Sequence, residues 1–400
     1  MQIESLDVQA CANAAHAAPN TASLAERAIA LHRGGKMEVC LKVPLASRED
    51  LALAYTPGFA YVARAIHAEP SRVRELTTKA STVAIVTDGT AVSGIGNVGP
   101  EAALPVMEGK ALLFKRFADI NAYPICLATT DVDEIVATVK AISPGFGAIM
   151  LEDISAPRCF EIEARLQEEL QIPVMHDDQH ATAVAATAAL INTLEMVGKR
   201  PEQLRVVMVG AGAAGTACAR MFLQLGVGNL VACDRTGAIH AGRNDLDTTK
   251  RWFAEHANRC NEQGTLKDVL RGADVLVGLS GPGVIGVDDI RTMARAPIVF
   301  ALANPQPEIT PAEVDGVVAM IATGRSDFPN QIDNGLCYPG IFRGAMDCAA
   351  PRITDRMKMA AACALASLVD RRDIGPRSVI PDIFDPRVMP AVADAVRRAA

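Results

Sequence analysis

The 400-residue sequence contains no uninterrupted apolar run long enough to cross a bilayer, which argues against a membrane-spanning helix. It has no excess of positive charge. Its 39 basic and 46 acidic residues leave a formal charge of −7, unsuited to a nucleic-acid or anionic-membrane partner. None of its ten cysteines forms a C-x-x-C pair, and several sit in apolar stretches, such as Cys218 before "ARMF" and Cys233 in "LVACD". That excludes the usual zinc and disulfide frameworks and suits reduced, core-packed thiols in a cytoplasmic protein. The first twenty residues have no basic start, no apolar stretch and no arginine. The expectation for residues 1–22 is therefore a loosely ordered arm rather than a secretory leader or transit peptide. No internal repeat occurs, and the only biased tract is the Ala-rich beginning.

What is present is a globular composition, half apolar and about a fifth charged. The length exceeds what one core ordinarily holds, so two domains are expected. Residues 44–80 read as helices broken at "YTPGFA". A strand at "TVAIV", a glycine loop and a helix over about 101–117 follow, then strands at "PICLATT", "GAIMLED" and "IPVM". Helices fall between them, one of which Asp131 is placed to cap. A long Ala-rich helix runs from Asp177 to a stop at Gly198. After Pro201 the pattern is strongly βαβ, with strands at "LRVVMVG", "NLVAC", "ADVLVG", "PIVFALAN" and "VVAMIATG". The fold class expected is α/β: a C-terminal, doubly wound Rossmann-type domain preceded by an α/β domain. The expected boundaries are 23–160 for the first domain and 161–400 for the second, which includes C-terminal helices.

Two stretches carry the G-x-G-x-x-G spacing, Gly94–Gly99 and Gly210–Gly215. A dinucleotide turn needs a strand before it, a helix after it and an acid ending the next strand. Gly210, Ala211, Gly212, Ala213, Ala214 and Gly215 meet all three conditions, with Asp234 closing "NLVACD". Asp234 can accept from both ribose hydroxyls and would repel a 2′-phosphate, which favours NAD; Arg235 beside it softens that repulsion and leaves NADP as the alternative. The first copy meets Pro100 where a helix could begin and has no such acid, so it reads as a glycine turn bending the chain into a cleft.

Two acidic pairs end short strands, Glu152-Asp153 and Asp177-Asp178. Taken alone, each is as readily a helix cap as a ligand set for Mg²⁺ or Mn²⁺. His176 and His180 flank the second pair without matching a zinc-protease pattern, and packing or ligand-supporting roles fit them better. Lys110, in "EGKALLFKRF", is either a surface lysine with a buried stem or a base made less cationic by burial.

These residues, with "LALAYTPGFA", "VTDGTAVSGIGNVGPEAALPVMEGKALLFKRFADI", "LEDISAPRCFEIE", "MHDDQHATA", "CDRTGAI", "ALANPQPEI" and "FPNQIDN", resemble the short bacterial malic enzymes, in the same order and over roughly residues 25–370. The resemblance makes the first domain a catalytic (malic) domain. It implies Tyr55 as general acid, Lys110 as general base and Asp177 as the partner that orients Lys110. It implies Glu152, Asp153 and Asp178 as ligands of Mg²⁺ or Mn²⁺, and Asn304 and Asn334 as contacts to malate or the nicotinamide end of NAD. The expected reaction is malate plus NAD⁺ giving pyruvate, CO₂ and NADH, by a homodimer or larger homo-oligomer. The lysine base would need its ordinary pKa lowered, by metal and burial. The chain departs from the family pattern at Ser93, Ala181, Asp333 and Gly335. Asp333 would place a negative charge near a dicarboxylate. Two alternatives follow: a nucleotide- or dicarboxylate-binding relative of impaired activity, or a 2-hydroxy-acid dehydrogenase that does not decarboxylate.

Overall fold

The computed structural model describes residues 23–400; the arm expected at 1–22 lies outside them. The chain opens with three helices, α1 (Leu24–Leu31), α2 (Arg48–Ala54) and α3 (Gly58–Ala68). Ser23 and Ser47 cap the first two, each with an acid three residues on that returns the bond. None of the three buries a residue against the rest of the chain.

A four-stranded parallel sheet follows, ordered β2-β1-β3-β4. Its strands are β1 (Thr82–Thr87), β2 (Asn121–Cys126), β3 (Ala148–Leu151) and β4 (Val174–His176). β1 and β3 are buried at every position, as parallel strands covered by helices on both faces must be. The crossover helices are α4 (Pro100–Ala118), α5 (Val132–Ile142) and α6 (Arg158–Glu169). α4 starts on Pro100 after Gly99 at φ 81°, and α5 is capped by the Asp131 carboxylate, which accepts the Glu134 N–H at 3.0 Å.

The domain boundary expected at 160 falls inside α6 and is corrected by the sheet. β4 pairs with β3, Ile149 opposite Val174, so the first unit runs on to His176. "IPVM" is too short for its own sequence to say which sheet it joins. The chain then enters α7 (Asp177–Val197), buried on nearly all sides and stopped by Gly198 at φ 67°.

The second sheet is ordered β10-β9-β8-β5-β6-β7. Its members are β5 (Arg205–Val209), β6 (Asn229–Asp234), β7 (Gly237–Ala238), β8 (Val275–Gly278), β9 (Ile298–Ala301) and β10 (Met320–Thr323). All pairs are parallel except β6–β7. Read from β7, this is the doubly wound dinucleotide-binding order with its third strand reduced to a short antiparallel edge. The order reverses between β5 and β8, which places a crevice beyond their carboxyl ends. The helix after β5 is α8 (Ala213–Leu225), and α9 (Thr248–His256) follows β7. The C-terminal helices α10 (Tyr338–Asp347), α11 (Asp355–Ala366) and α12 (Val388–Arg398) do not stay with the second sheet alone. Tyr338 and Phe342 of α10 pack edge-on against Phe114 of α4. One continuous apolar core therefore joins Met107 and Phe114 of the first unit to Phe222 and Phe300 of the second.

Candidate active site

The turn after β5 shows why glycine is required there. Gly210 has φ 108°, and a Cβ on it would lie 2.5 Å from the Leu279 carbonyl oxygen. A Cβ on Gly215 would lie 2.1 Å from the Gly210 oxygen. Gly212 caps α8 and faces open space, a cradle that a Cβ would begin to fill. The free N–H groups of the helix start and its positive dipole end meet there, which fits a pyrophosphate.

Facing this turn is a cavity of about 440 Å³. Its walls include Lys110, Glu152, Asp153, Asp178, Gly212–Gly215, Asn304 and Asn334. Ser93 and Gly94 of the first glycine motif also line it, and a Cβ on Gly94 would lie 3.0 Å from the Asn304 oxygen. That motif is thus a loop closing the cleft, as its sequence suggested.

Lys110 projects from the α4 face that also carries buried Ala103, Met107 and Phe114. Its Nζ lies 2.5 Å from Asp177 Oδ2 and 2.9 Å from Glu152 Oε1. Asp177 is wholly buried at the start of α7 and also accepts from Asn334 Nδ2 at 2.8 Å. Thr182 Oγ1 donates to Asn334 Oδ1 at 2.9 Å, which fixes which end of that amide faces Asp177. Asp177 thus holds Lys110 directly, and Asn334 holds Asp177.

Lys110 is expected to have its pKa lowered by a bound metal and by burial. Burial does act in that direction, but Asp177 and Glu152 outweigh it and hold the ammonium well above its usual range. One neighbour had no signal in the sequence reading. The Tyr338 ring sits 5.1 Å from Lys110 Nζ, and its hydroxyl donates to the Lys110 carbonyl at 3.1 Å. The only available clue was an aromatic residue at the start of a C-terminal helix.

Glu152, Asp153 and Asp178 each present a carboxylate oxygen, all within 4.8 Å of one another. Burial is the main reason that Glu152 is pushed well above the carboxylate range and Asp153 up to about 7; neighbouring carboxylates add to it. Glu152 Oε2 and Asp153 Oδ2 are buried without a hydrogen-bond partner. Asp153 also holds a left-handed backbone, φ 55°, unusual for a non-glycine residue. Three hard oxygen donors, two with orphaned buried atoms, fit a divalent cation. His176 lies beneath them, its Nε2 3.1 Å from Asp178 Oδ2 though not aligned as a hydrogen bond.

Two expectations meet a different geometry. Tyr55 does not line the cavity; it is 65 % exposed at the end of α2. Asp234 ends β6 as expected, but its carboxylate is already saturated. Oδ1 accepts from Thr236 N–H (2.9 Å), Thr236 Oγ1 (2.8 Å) and Arg243 Nη1 (2.9 Å), while Oδ2 meets Arg243 Nη2 and Lys250 Nζ at 2.9 Å each. Asp333 does reach the cavity wall, and both of its oxygens are held by neutral donors of its own turn. It accepts from Gly335 N–H at 2.7 Å and Gln331 Nε2 at 2.8 Å. A Cβ on Gly335 would lie 2.7 Å from the Ile383 Cδ1 methyl and 2.9 Å from Asp333 Oδ1, so a larger residue there requires those side chains to shift.

Residues 34–131 and 128–167 match the malic enzyme N-terminal domain, and residues 179–400 match the malic enzyme NAD-binding domain. The chain is 52 % identical to an NAD-dependent malic enzyme of Geobacillus stearothermophilus, over 94 % of this chain and 79 % of that one. It is 50 % identical to a bifunctional malic/malolactic enzyme of Bacillus subtilis, over 94 % and 93 %. The fold superposes on the crystal structure of an NAD-dependent malic enzyme from Thermotoga maritima with TM-score 0.89 and 44 % identity, covering 92 % of this chain and 98 % of that one. A glycine turn, a partly buried lysine and three convergent carboxylates at the ends of two α/β sheets, matched along nearly the whole length, place this chain in the malic enzyme family.

Proposed function

We propose that the chain oxidatively decarboxylates (S)-malate to pyruvate and CO₂, passing hydride to NAD⁺. The observation that carries this reading is the single cavity in which Lys110, the three carboxylates and the Gly212 turn face one another. When bound, a divalent ion (Mg²⁺ or Mn²⁺) held by Glu152, Asp153 and Asp178 supplies a Lewis acid toward the malate oxygens and offsets the carboxylate charge that keeps the proton on Lys110. NAD⁺ seated on Gly210–Gly215 supplies the hydride acceptor. Lys110 Nζ takes the C2 hydroxyl proton, and Asp177, steadied by Asn334, holds the amine at that position. Oxidation at C2 leaves a β-keto acid, which loses CO₂, and C3 then requires a proton. Tyr55 is assigned that donation. Asn304 is assigned to the nicotinamide and substrate, since it stands on the cavity wall beside Gly94 and Gly324.

Tyr55 stands apart from its own chain's cavity, among the exposed apolar side chains Leu51, Leu53, Phe59 and Tyr61. A contiguous apolar surface of this kind is the mark of an interface. We infer that α1–α3 pair with a second copy and deliver Tyr55 to that copy's cavity, so that the working unit is a homodimer or larger. The nine described cysteines are all free, which suits a reducing cytoplasm.

Cofactor choice rests on Asp234. With Arg243 and Lys250 on its carboxylate, the charge expected to repel a 2′-phosphate is offset by two cations. NAD⁺ is the proposed cofactor, with NADP⁺ tolerated. Kinetics with malate, Mn²⁺ and each cofactor test this: reduced cofactor must form with either, must need the metal, and must vanish in Lys110→Ala while NAD⁺ affinity is retained. Metal-independent turnover, or loss of NAD⁺ binding in that variant, would overturn the assignment.

A further inference from the structure

A buried chain of hydrogen bonds beside the cavity takes no part in the proposed reaction. Its four parts come from α6 (Glu163), β4 (His176), α7 (Gln179, His180) and α11 (Lys358). Glu163 and Lys358 are each 6 % exposed, an expensive placement for charged groups without partners; Lys358 pairs with Asp355 Oδ1 at 2.9 Å and reaches Glu163 through His180. The direction of every bond is fixed from the ends. An ammonium only donates, so Lys358 Nζ, 3.2 Å from His180 Nδ1, makes that nitrogen the acceptor. The His180 proton then sits on Nε2, which donates to Glu163 at 3.0 and 3.1 Å. Glu163, an acceptor only, also receives the His176 backbone N–H at 2.8 Å and Gln179 Nε2 at 2.9 Å. The Gln179 amide nitrogen has a second hydrogen, 3.1 Å from His176 Nδ1. His176 therefore carries its own proton on Nε2, which meets Asp178 Oδ2 at 3.1 Å as a close electrostatic contact outside hydrogen-bond alignment. The same Asp178 oxygen accepts the Asp153 N–H at 2.8 Å, so Oδ1 is the oxygen left to turn toward a cation.

We infer that Glu163, His180 and Lys358 are positioning residues for Asp178: they lock His176 in the Nε2–H tautomer and so set which carboxylate oxygen Asp178 offers to a divalent cation. The inference rests on reading Glu152, Asp153 and Asp178 as a cation site. Partners of this kind behind a metal ligand typically contribute about 10–100-fold in metal affinity. The chain also ties the C-terminal helix α11 to the start of α7, so a distant segment bears on the cation.

The test uses the full chain with Glu163→Gln and, at the far end of the network, Lys358→Met. Free Mn²⁺ is counted by electron paramagnetic resonance, NAD⁺ affinity is measured by calorimetry, and histidine tautomers are read from ¹⁵N shifts of histidine-labelled protein. The wild type is expected to hold His176 as one tautomer. Both variants are expected to mix its tautomers and to bind Mn²⁺ more weakly, about 10–100-fold for Glu163→Gln, with NAD⁺ affinity kept within about twofold. Should Glu163→Gln not fold, Lys358→Met carries the same expectation. Wild-type Mn²⁺ affinity with an unchanged His176 tautomer in a folded variant would overturn the inference. Failure of the wild type itself to bind Mn²⁺ would instead remove the cation site, and this inference with it.

Discussion

Asp333 places a carboxylate on the wall of a cavity proposed for a dicarboxylate, yet both of its oxygens are occupied by its own turn. Asparagine can make the same cap to Gly335 through its side-chain oxygen. Asp333→Asn therefore keeps the turn but removes one negative charge from the cavity wall, and is expected to lower KM for malate by about threefold or more. An unchanged or higher KM in steady-state kinetics would contradict a negative charge at that place. The residue scale also shows what could be seen in the sequence and what could not. The three carboxylates and Lys110 were visible as residue types at strand ends and in an apolar helix, and the structure brings them into one cavity. The state of each was not visible, because charge depends on neighbours distant in the chain. Asp177 and Glu152 oppose the effect of burial on Lys110, and Arg243 and Lys250 offset the charge of Asp234.

At the level of elements, α6 and the β5–α8 turn carry the most consequence. Gly215 returns the chain so closely over Gly210 that a methyl group has no place, 2.1 Å from a backbone oxygen. Gly215→Ala is expected to destabilise the protein by about 1–3 kcal/mol and to weaken NAD⁺ by about tenfold or more. Calorimetry and thermal unfolding would show it, and parental NAD⁺ affinity would contradict it. In α6, burial would raise Glu163, but His180 and Lys358 prevail and bring it down to about 2 from an ordinary 4.5. A carboxylate with a depressed folded value contributes stability that is full at neutral pH and is lost as pH falls through 4.5 toward 2. The contribution is at most roughly 3 kcal/mol. The melting temperature of the wild type is expected to fall more steeply between pH 5 and pH 3 than that of Glu163→Gln; parallel slopes would contradict the assignment. Periodicity revealed most of these elements because buried parallel strands and capped helices leave local marks. It missed β7, two residues whose strand character comes only from pairing with β6. It also could not assign β4 to the first sheet, since three apolar residues fit either one.

At the scale of the whole molecule, α1–α3 and their connections leave Tyr55, Leu53 and Val39 exposed. A sequence shows that such helices are apolar; it does not show whether their apolar face meets the same chain or another copy. If Tyr55 serves the partner's cavity, mixing Tyr55→Phe with Lys110→Ala subunits restores one complete site in each mixed dimer. An equal mixture is then expected to recover about a quarter of wild-type activity from two nearly inactive proteins. No recovery after confirmed subunit exchange would place Tyr55 and Lys110 in the same chain. The central claim is that one cavity couples oxidation of malate at C2 to loss of its C4 carboxylate, and it is tested most directly with malate ¹³C-labelled at C4, NAD⁺ and Mn²⁺. The expected result is labelled CO₂ equal in amount to NADH, with unlabelled pyruvate accumulating alongside. NADH formed while the label stays in a four-carbon keto acid, or no NADH at all, would contradict it.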